Sequence, residues 1–275
     1  MSRRIVKEVF VQAPPDVVWR TLTDAEELTR WFPVDARVKP GKGGSIWISF
    51  GGGVEGEAPI TAWEPNRRFE WTETRGAVKL AVDFQLEAKS GGTVVRLVNS
   101  GFGAGPDWDD EFHMTEGGWA YFTQHLRWYL ERHRGKPRHL IALREPVTFS
   151  RAEAFLKLTG SSGLSQDDRI AETPLGAEYE TATALGDRLS GTVIATSPDT
   201  WQLGFTIREL GDAVLFLEME PAPTGARAGF WLSTYGLPPE AVARTREKYD
   251  ALYRSALGLD GRVQRPGLHP TDPAS

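Results

Sequence analysis

Between Glu116 and Glu131 the chain reads EGGWAYFTQHLRWYLE. At about 100° per residue, Trp119, Phe122, Leu126, Tyr129 and Leu130 fall on one stripe, which predicts a helix packed on a core. Met114, Tyr121 and Trp128 recur at seven-residue spacing on a different side, with His125 beside them, so this helix has two partners to satisfy. Gly117 and Gly118 cost roughly 1 kcal/mol each relative to Ala inside a helix. Either they belong to a fraying start, or something comes close to the backbone there.

Upstream, RIVKEVFVQAP alternates around Ile5, Val9 and Val11 like a strand, and Pro14-Pro15-Asp16 opens a short helix, VVWRTLTD, with proline in its favoured first turn. A second short helix, AEELTRWF, follows Asp24. From Val34 to Ser100 strand-like segments are separated by the turn signals PGKGG, GGG, EPNRR, TRG and KSGG, the pattern of an antiparallel meander. The glycine-rich SGFGAGPDW then leads into the long helix through Asp107 to Glu111, carboxylates suited to a helix N-terminus.

Much of this pattern returns. ITAWEPNRRFEW from Ile60 matches VIATSPDTWQLGF from Val193, each a strand, an Ala-x-x-Pro turn and an aromatic strand. VKLAVDFQLEAKSGGTVVRLVNSGFG matches AVLFLEMEPAPTGARAGFWLSTYG in order, and PPEAVARTREKYDALYRSAL supplies a second closing helix striped by Val242, Tyr249, Leu252, Tyr253 and Ala256. These correspondences predict an internal duplication, although shared turn chemistry between two unrelated antiparallel sheets gives a similar picture. The expected division is a first domain over 1–137, a second over 138–260 and a disordered, proline-rich tail over 261–275.

Composition narrows the setting. The chain has 275 residues, 40% hydrophobic and 25% charged, with no cysteine, so disulfides and thiolate chemistry are excluded. MSRRIVKEVF lacks the apolar stretch of a signal peptide, and no run approaches ~18 apolar residues, so a cytoplasmic location without membrane partners is expected. The net charge of −5, its acidity concentrated after Arg144, and the lack of a basic stripe with interleaved aromatics argue against nucleic acid. The excess of arginine over lysine suggests a GC-rich bacterial genome. Eight of the ten tryptophans precede Arg144, so the halves are built for different jobs.

Strand, two short helices, antiparallel strands and a long closing helix is the order of the α+β helix-grip fold, a curved antiparallel sheet wrapped around its C-terminal helix. APPDVVWRTLTDAEELTRWF (13–32) and SGFG...W...GGWAYFTQHLRWYLE (100–131) make the resemblance specific. The segment from about 4 to 135 resembles the bacterial activator-of-Hsp90-ATPase-like (AHSA1) branch of the START/Bet v 1-like (SRPBCC) superfamily. The second copy lacks the Pro-Pro-x-x-Val-Trp helix signature and carries FSRAEAFLKLTG instead, so it is divergent or truncated.

That resemblance implies a cavity between sheet and helix. Period-2 alternation turns Phe69 and Trp71 to one side, and Val82, Phe84 and Leu86 likewise; Ile48 and Phe50 are favoured as inward over Trp47. The candidate ligand-binding residues are Trp31, Phe32, Phe50, Phe69, Trp71, Phe84, Trp119 and Phe122, with a filled aromatic core as the competing reading. The later copy, with less helical cover, is expected to hold little or no cavity.

No catalytic motif stands out. Asp109, Asp110, Glu111 and His113 fit no metal-ligand spacing, and a capped helix start explains the acids. Of the histidines 113, 125, 133 and 139, only His125 lies on a side expected to be buried. No GxSxG, HExxH, P-loop or strand-borne GxGxxG is present. No metal and no cofactor are expected, and Asn99 is the clearest inward polar group. The leading reading is non-catalytic binding of a small hydrophobic or aromatic molecule by the first domain. A polyketide cyclase/dehydratase-like enzyme using the same cavity is the alternative, favoured by any acid, base or histidine pointing inward; a chaperone-partner role on the outer surface is the third. Tyr121, His125 and Trp128 should meet the second copy, with a homodimer contact as the other way to bury them.

Overall fold

The computed structural model describes residues 2–76 and 78–259; the expected tail, 261–275, lies outside them. The first unit begins with β1 (Arg3–Val11), α1 (Pro15–Thr23) and α2 (Ala25–Thr29). Asp24 both ends α1, through its N–H to Arg20 O, and caps α2, where its carboxylate accepts from Glu27 N at 3.0 Å. Strands β2 (Asp35–Lys39), β3 (Ser45–Ser49), β4 (Glu55–Glu64), β5 (Arg68–Arg75), β6 (Val78–Lys89) and β7 (Gly92–Phe102) follow, and α3 (Asp109–Trp128) closes the unit. The helix runs on through a π turn, Tyr129–His133.

The second unit contains β8 (Arg138–Val147), α4 (Arg151–Thr159), β9 (Glu178–Ala182), β10 (Arg188–Ser197), β11 (Gln202–Ile207), β12 (Ala213–Pro221), β13 (Ala226–Tyr235) and α5 (Pro239–Ala256). The two sheets run β1-β7-β6-β5-β4-β3-β2 and β8-β13-β12-β11-β10-β9, every pair antiparallel. Remove β2 and the orders coincide, first strand beside last and the rest a meander. The chain is therefore a tandem helix-grip fold, and the sequence repeats map onto β4-β5 with β10-β11, and β6-β7 with β12-β13. FSRAEAFLKLTG forms α4, capped by Ser150 accepting from Glu153 N at 3.2 Å.

The two sheets use their faces differently. In the first, one face meets α1, α2 and α3 through a core that includes Ile5, Leu22, Trp31, Phe69, Val95, Leu97 and Leu126. In the second, alternation sends Leu203, Phe205, Leu215, Leu217, Met219, Phe230 and Leu232 against α4 and α5, where Phe155, Leu158, Tyr249, Leu252 and Tyr253 fill the interior. Its other face, carrying Gly204, Val214 and Phe216, lies against the second stripe of α3. Burial on both sides explains why β11 is buried at every position and why β12 reads as an almost unbroken apolar run.

Candidate functional site: a cavity between the two units

The second stripe of α3 is joined to the second unit of the same chain. Tyr121 stacks on Phe216 at 4.1 Å between ring centroids, with its planes 8° apart, and Trp128 Nε1 donates to Asp212 O at 2.9 Å. His125 is fully buried between two tyrosines: Nε2 lies 2.8 Å from Tyr235 Oη and Nδ1 lies 3.1 Å from Tyr121 Oη. Because Tyr235 donates to Arg30 O at 2.5 Å, it must accept from the imidazole, which fixes the proton on Nε2 and leaves Nδ1 to accept from Tyr121. Burial, then the charges of Arg138 and His133, hold the His125 pKa well below the usual histidine value, so the ring is neutral. His133, expected on an exposed side, is also buried. The π turn swings it onto Tyr235, 4.2 Å away, and Nε2 donates to Asp212 O at 2.8 Å.

The paired glycines have separate causes. A Cβ on Gly117 would stand 1.8 Å from Gln202 Oε1 and 3.1 Å from Ser197 Cβ, and Gln202 itself donates to Met114 O at 3.2 Å. Gly118 faces open space, and that space is a cavity. Both lie well inside α3, so the alternative of a fraying start is not what places them.

The cavity measures about 710 Å³ and opens beside the first turns of α3. From the first unit it is walled by Phe32, Ile48, Phe50, Trp71, Val82, Trp119 and Phe122, and from the second by Leu140, Phe216, Pro221 and Trp231, with Tyr121 between them. The rings brace one another: Phe32 stacks on Trp119 at 5.1 Å and meets Phe122 edge-on at 4.9 Å. Trp119 is fixed in turn by Asn99, whose Oδ1 accepts from Trp119 Nε1 at 3.0 Å while its Nδ2 donates to Ala81 O at 3.0 Å. Val34 and Val54, about two-fifths exposed, form an apolar lip.

Five of the eight candidate residues, Phe32, Phe50, Trp71, Trp119 and Phe122, line this space, and Ile48 and Phe50 do face inward. Trp47 instead lies outside under Arg37, 4.5 Å from its ring. Trp31, Phe69 and Phe84 lie in the packed layer behind the wall. Trp31 is completely buried with Nε1 donating to Thr21 O at 3.2 Å, Phe69 is ringed by Trp19, Trp63 and Trp71, and Phe84 is wedged between Trp31, Trp71 and Trp119. Correct strand parity placed Phe69 and Phe84 on the inner face, but the layer is two side chains deep there, and Trp31, just after α2, packs into that same inner layer. Asp109 and Asp110, at the start of α3, pair with Arg3 at 2.6 Å and Arg151 at 3.3 Å.

Sequence reasoning missed the contribution of the second unit. Arg138 reaches from β8 to the carbonyls of Thr29, Phe32 and Pro33, at 3.2, 3.4 and 3.1 Å, and its Nε donates to Ser233 Oγ at 2.8 Å. Arg144 grips Glu220 with both arms of its guanidinium, Nε at 3.0 Å from Oε1 and Nη2 on Oε2. Glu218, two residues before, accepts from Trp231 Nε1 at 2.9 Å. Its half-buried side chain lines the cavity, and burial followed by repulsion from Glu220 pushes its pKa up to about 7. The signal was legible: Glu218 and Glu220 share the parity of Val214 and Phe216, which puts two acids on the outward face of an otherwise apolar strand.

Residues 12–131 match the family model described as activator of Hsp90 ATPase homolog 1-like protein. Over this segment the chain is similar to that family. Among solved structures, the chain is similar to protein MLL2253 from Mesorhizobium loti, at 27% identity over 47% of this chain and 97% of that one, TM-score 0.43. The Aha1 dimer from Colwellia psychrerythraea is similar at 24% identity over 47% of this chain and 96% of that chain, TM-score 0.43. A likeness spanning both units is found with the di-domain ARO/CYC BexL from the BE-7585A biosynthetic pathway, at 14% identity over 96% of this chain and 100% of that one, TM-score 0.42. No curated protein matches the chain. No helix among the described residues is long and apolar enough to cross a membrane.

Proposed function

We propose that the chain, divided as 1–137 and 138–260, binds a small, largely aromatic molecule in the cavity between its AHSA1-like domain and the outer face of the second sheet. One observation carries this reading: a space of about 710 Å³ stays open although it is bordered by eight aromatic rings able to collapse into it. Phe32, Phe50, Trp71, Trp119 and Phe122 are the proposed ring contacts from the first unit, joined by Tyr121, Phe216 and Trp231. Offset and edge-on packing against such rings suits a planar apolar guest.

Tryptophan fluorescence tests this directly. A naphthalene-class probe should quench or shift the emission of Trp71, Trp119 and Trp231 in a saturable titration, and Phe122→Trp should block that titration while the fold survives, since an open cavity accepts volume that a packed interior rejects. A wild type that shows no saturable response, together with a Phe122→Trp variant that unfolds, would make the rings core rather than site.

A second reading, an enzyme acting on an aromatic substrate, is favoured by Glu218. A carboxyl whose pKa is pushed up to about 7 suits proton transfer at neutral pH, and it faces the aromatic cavity. Turnover that disappears in Glu218→Gln with binding intact would establish that reading; turnover unchanged in that variant would remove Glu218 from it.

A further inference from the structure

The corner of the cavity around Glu218 is built in a particular way. Glu218 pairs across the sheet with Gly229, and a Cβ at Gly229 would stand 2.9 Å from both Glu218 Cγ and Trp231 Nε1. The glycine therefore lets the carboxyl and the indole meet over the strand, with Oε1 anchored by Trp231 at 2.9 Å. The nearest guanidinium, Arg144, has both arms on Glu220. Two carboxyls thus share one cation at the cavity wall, and burial together with the charge of Glu220 favours a proton on Glu218 over the opposing pull of Arg144 and of the Trp231 and Gln202 hydrogen bonds. Gln202, opposite Glu218 on β11, is the second hydrogen-bonding partner of this carboxyl.

We propose that Glu218, in its acid form, donates a hydrogen bond to a carbonyl oxygen of the bound molecule, which makes an aromatic ketone, or a neutral relative of one, the ligand class of this cavity. The proposal rests on the cavity reading above and adds the identity of its polar contact. A carboxylate ligand would meet Glu218 and Glu220 as like charges. A phenol, itself a donor, would be held better by ionised Glu218 and would show the opposite dependence on pH. A ketone oxygen supplies an acceptor for the O–H without adding charge or a competing donor.

Among the described residues, the other charged groups facing this cavity are Glu220 on β12, Arg138 and Arg144 on β8, Glu73 on β5, and Asp107, Asp110 and Glu111 at the start of α3. The strands flanking Glu218 contribute the uncharged Gln202 and Trp231. The test must therefore cancel whatever those groups do. Two non-titrating probes of the same shape achieve this: 2-acetylnaphthalene, and 2-isopropenylnaphthalene, in which a CH₂ replaces the carbonyl oxygen.

The affinities of both probes for the full chain are measured by tryptophan fluorescence from about pH 5.5 to about pH 8.5, and the ratio of the two is followed. The ratio should favour the ketone at the acid end and fall by about tenfold towards the alkaline end, as the donor form of Glu218 is depleted. In Glu218→Gln, whose amide stays a donor at every pH, the ratio should hold constant. In Glu218→Leu it should be low throughout. A constant ratio in the wild type would overturn the assignment of Glu218 and leave the cavity reading standing; binding by neither probe would overturn both. The wild-type measurement decides the matter even if a variant fails to fold.

Discussion

The two helix-grip units share one strand order and differ in what their sheets enclose. In the second, α4 and α5 lie on a sheet whose inner face is filled by Leu203, Phe205, Leu215, Leu217, Phe230 and Leu232. In the first, α3 carries Gly118 facing open space, and that space is bordered by rings that brace one another. The second unit lends its outside, closing the first unit's cavity with Phe216, Trp231 and Glu218. A duplicated fold has thus been divided into a container and a wall. The helix between them needs two buried stripes because each unit takes one.

That comparison can be broken first at the packed layers. Phe230→Ala in the second core and Phe84→Ala behind the cavity should each cost roughly 3–5 kcal/mol, and Phe50→Ala, on the wall, clearly less. Chemical denaturation checks this; equal costs at Phe50 and Phe84 would mean that the wall is as tightly packed as the layer behind it.

The paired glycines sharpen it next. Gly117→Ala gains helix propensity but drives a methyl into buried Gln202 and breaks its bond to Met114 O, so a net loss of about 1–2 kcal/mol is expected. Gly118→Ala meets nothing and should stabilise by up to about 1 kcal/mol while narrowing the cavity. The same sign for both substitutions would contradict the separate causes given to them.

The interface should also show opposed pH effects. Unfolded, Glu218 ionises near 4.5; folded, at about 7, so between these values the folded form holds the extra proton and stability falls as pH rises. His125 behaves in the opposite sense. The unfolded ring takes a proton near 6.5 and the folded one resists it, so stability falls as pH drops below that value. Melting temperatures across pH should show Glu218→Gln losing the decline that accompanies rising pH between 4.5 and about 7, and keeping the loss on acidification that His125 causes. A Glu218→Gln curve parallel to wild type would show that the carboxyl is not held in its acid form. The smallest effect belongs to the exposed pair Arg127–Glu131, where Arg127→Ala should change stability by no more than about 0.5 kcal/mol.

Much of this was legible in the chain. The two-sided pattern of α3 announced a second partner, because an aromatic stripe of Tyr121 and Trp128 has no reason to face water. Strand parity placed Ile48, Phe50 and Trp71 correctly, since alternation is a local property of the backbone. It failed to separate Phe84 from Trp71, which share a face and differ only in depth, and depth is set by side chains from other elements. Glu218, Arg138 and Arg144 escaped notice because the first domain was treated as a complete container. Which face of the second sheet would cover α3 is a matter of how two units dock, and no periodicity within one unit encodes it.

The central claim is that both units wall one binding space, and bulk added from each side tests it most directly. Phe122→Trp fills the cavity from α3 and Leu140→Trp fills it from β8 of the second unit. Titrated with 2-acetylnaphthalene beside the wild type, both folded variants should lose binding by at least about tenfold. Wild-type affinity in Leu140→Trp, with binding lost only in Phe122→Trp, would show that the second unit is no part of the site.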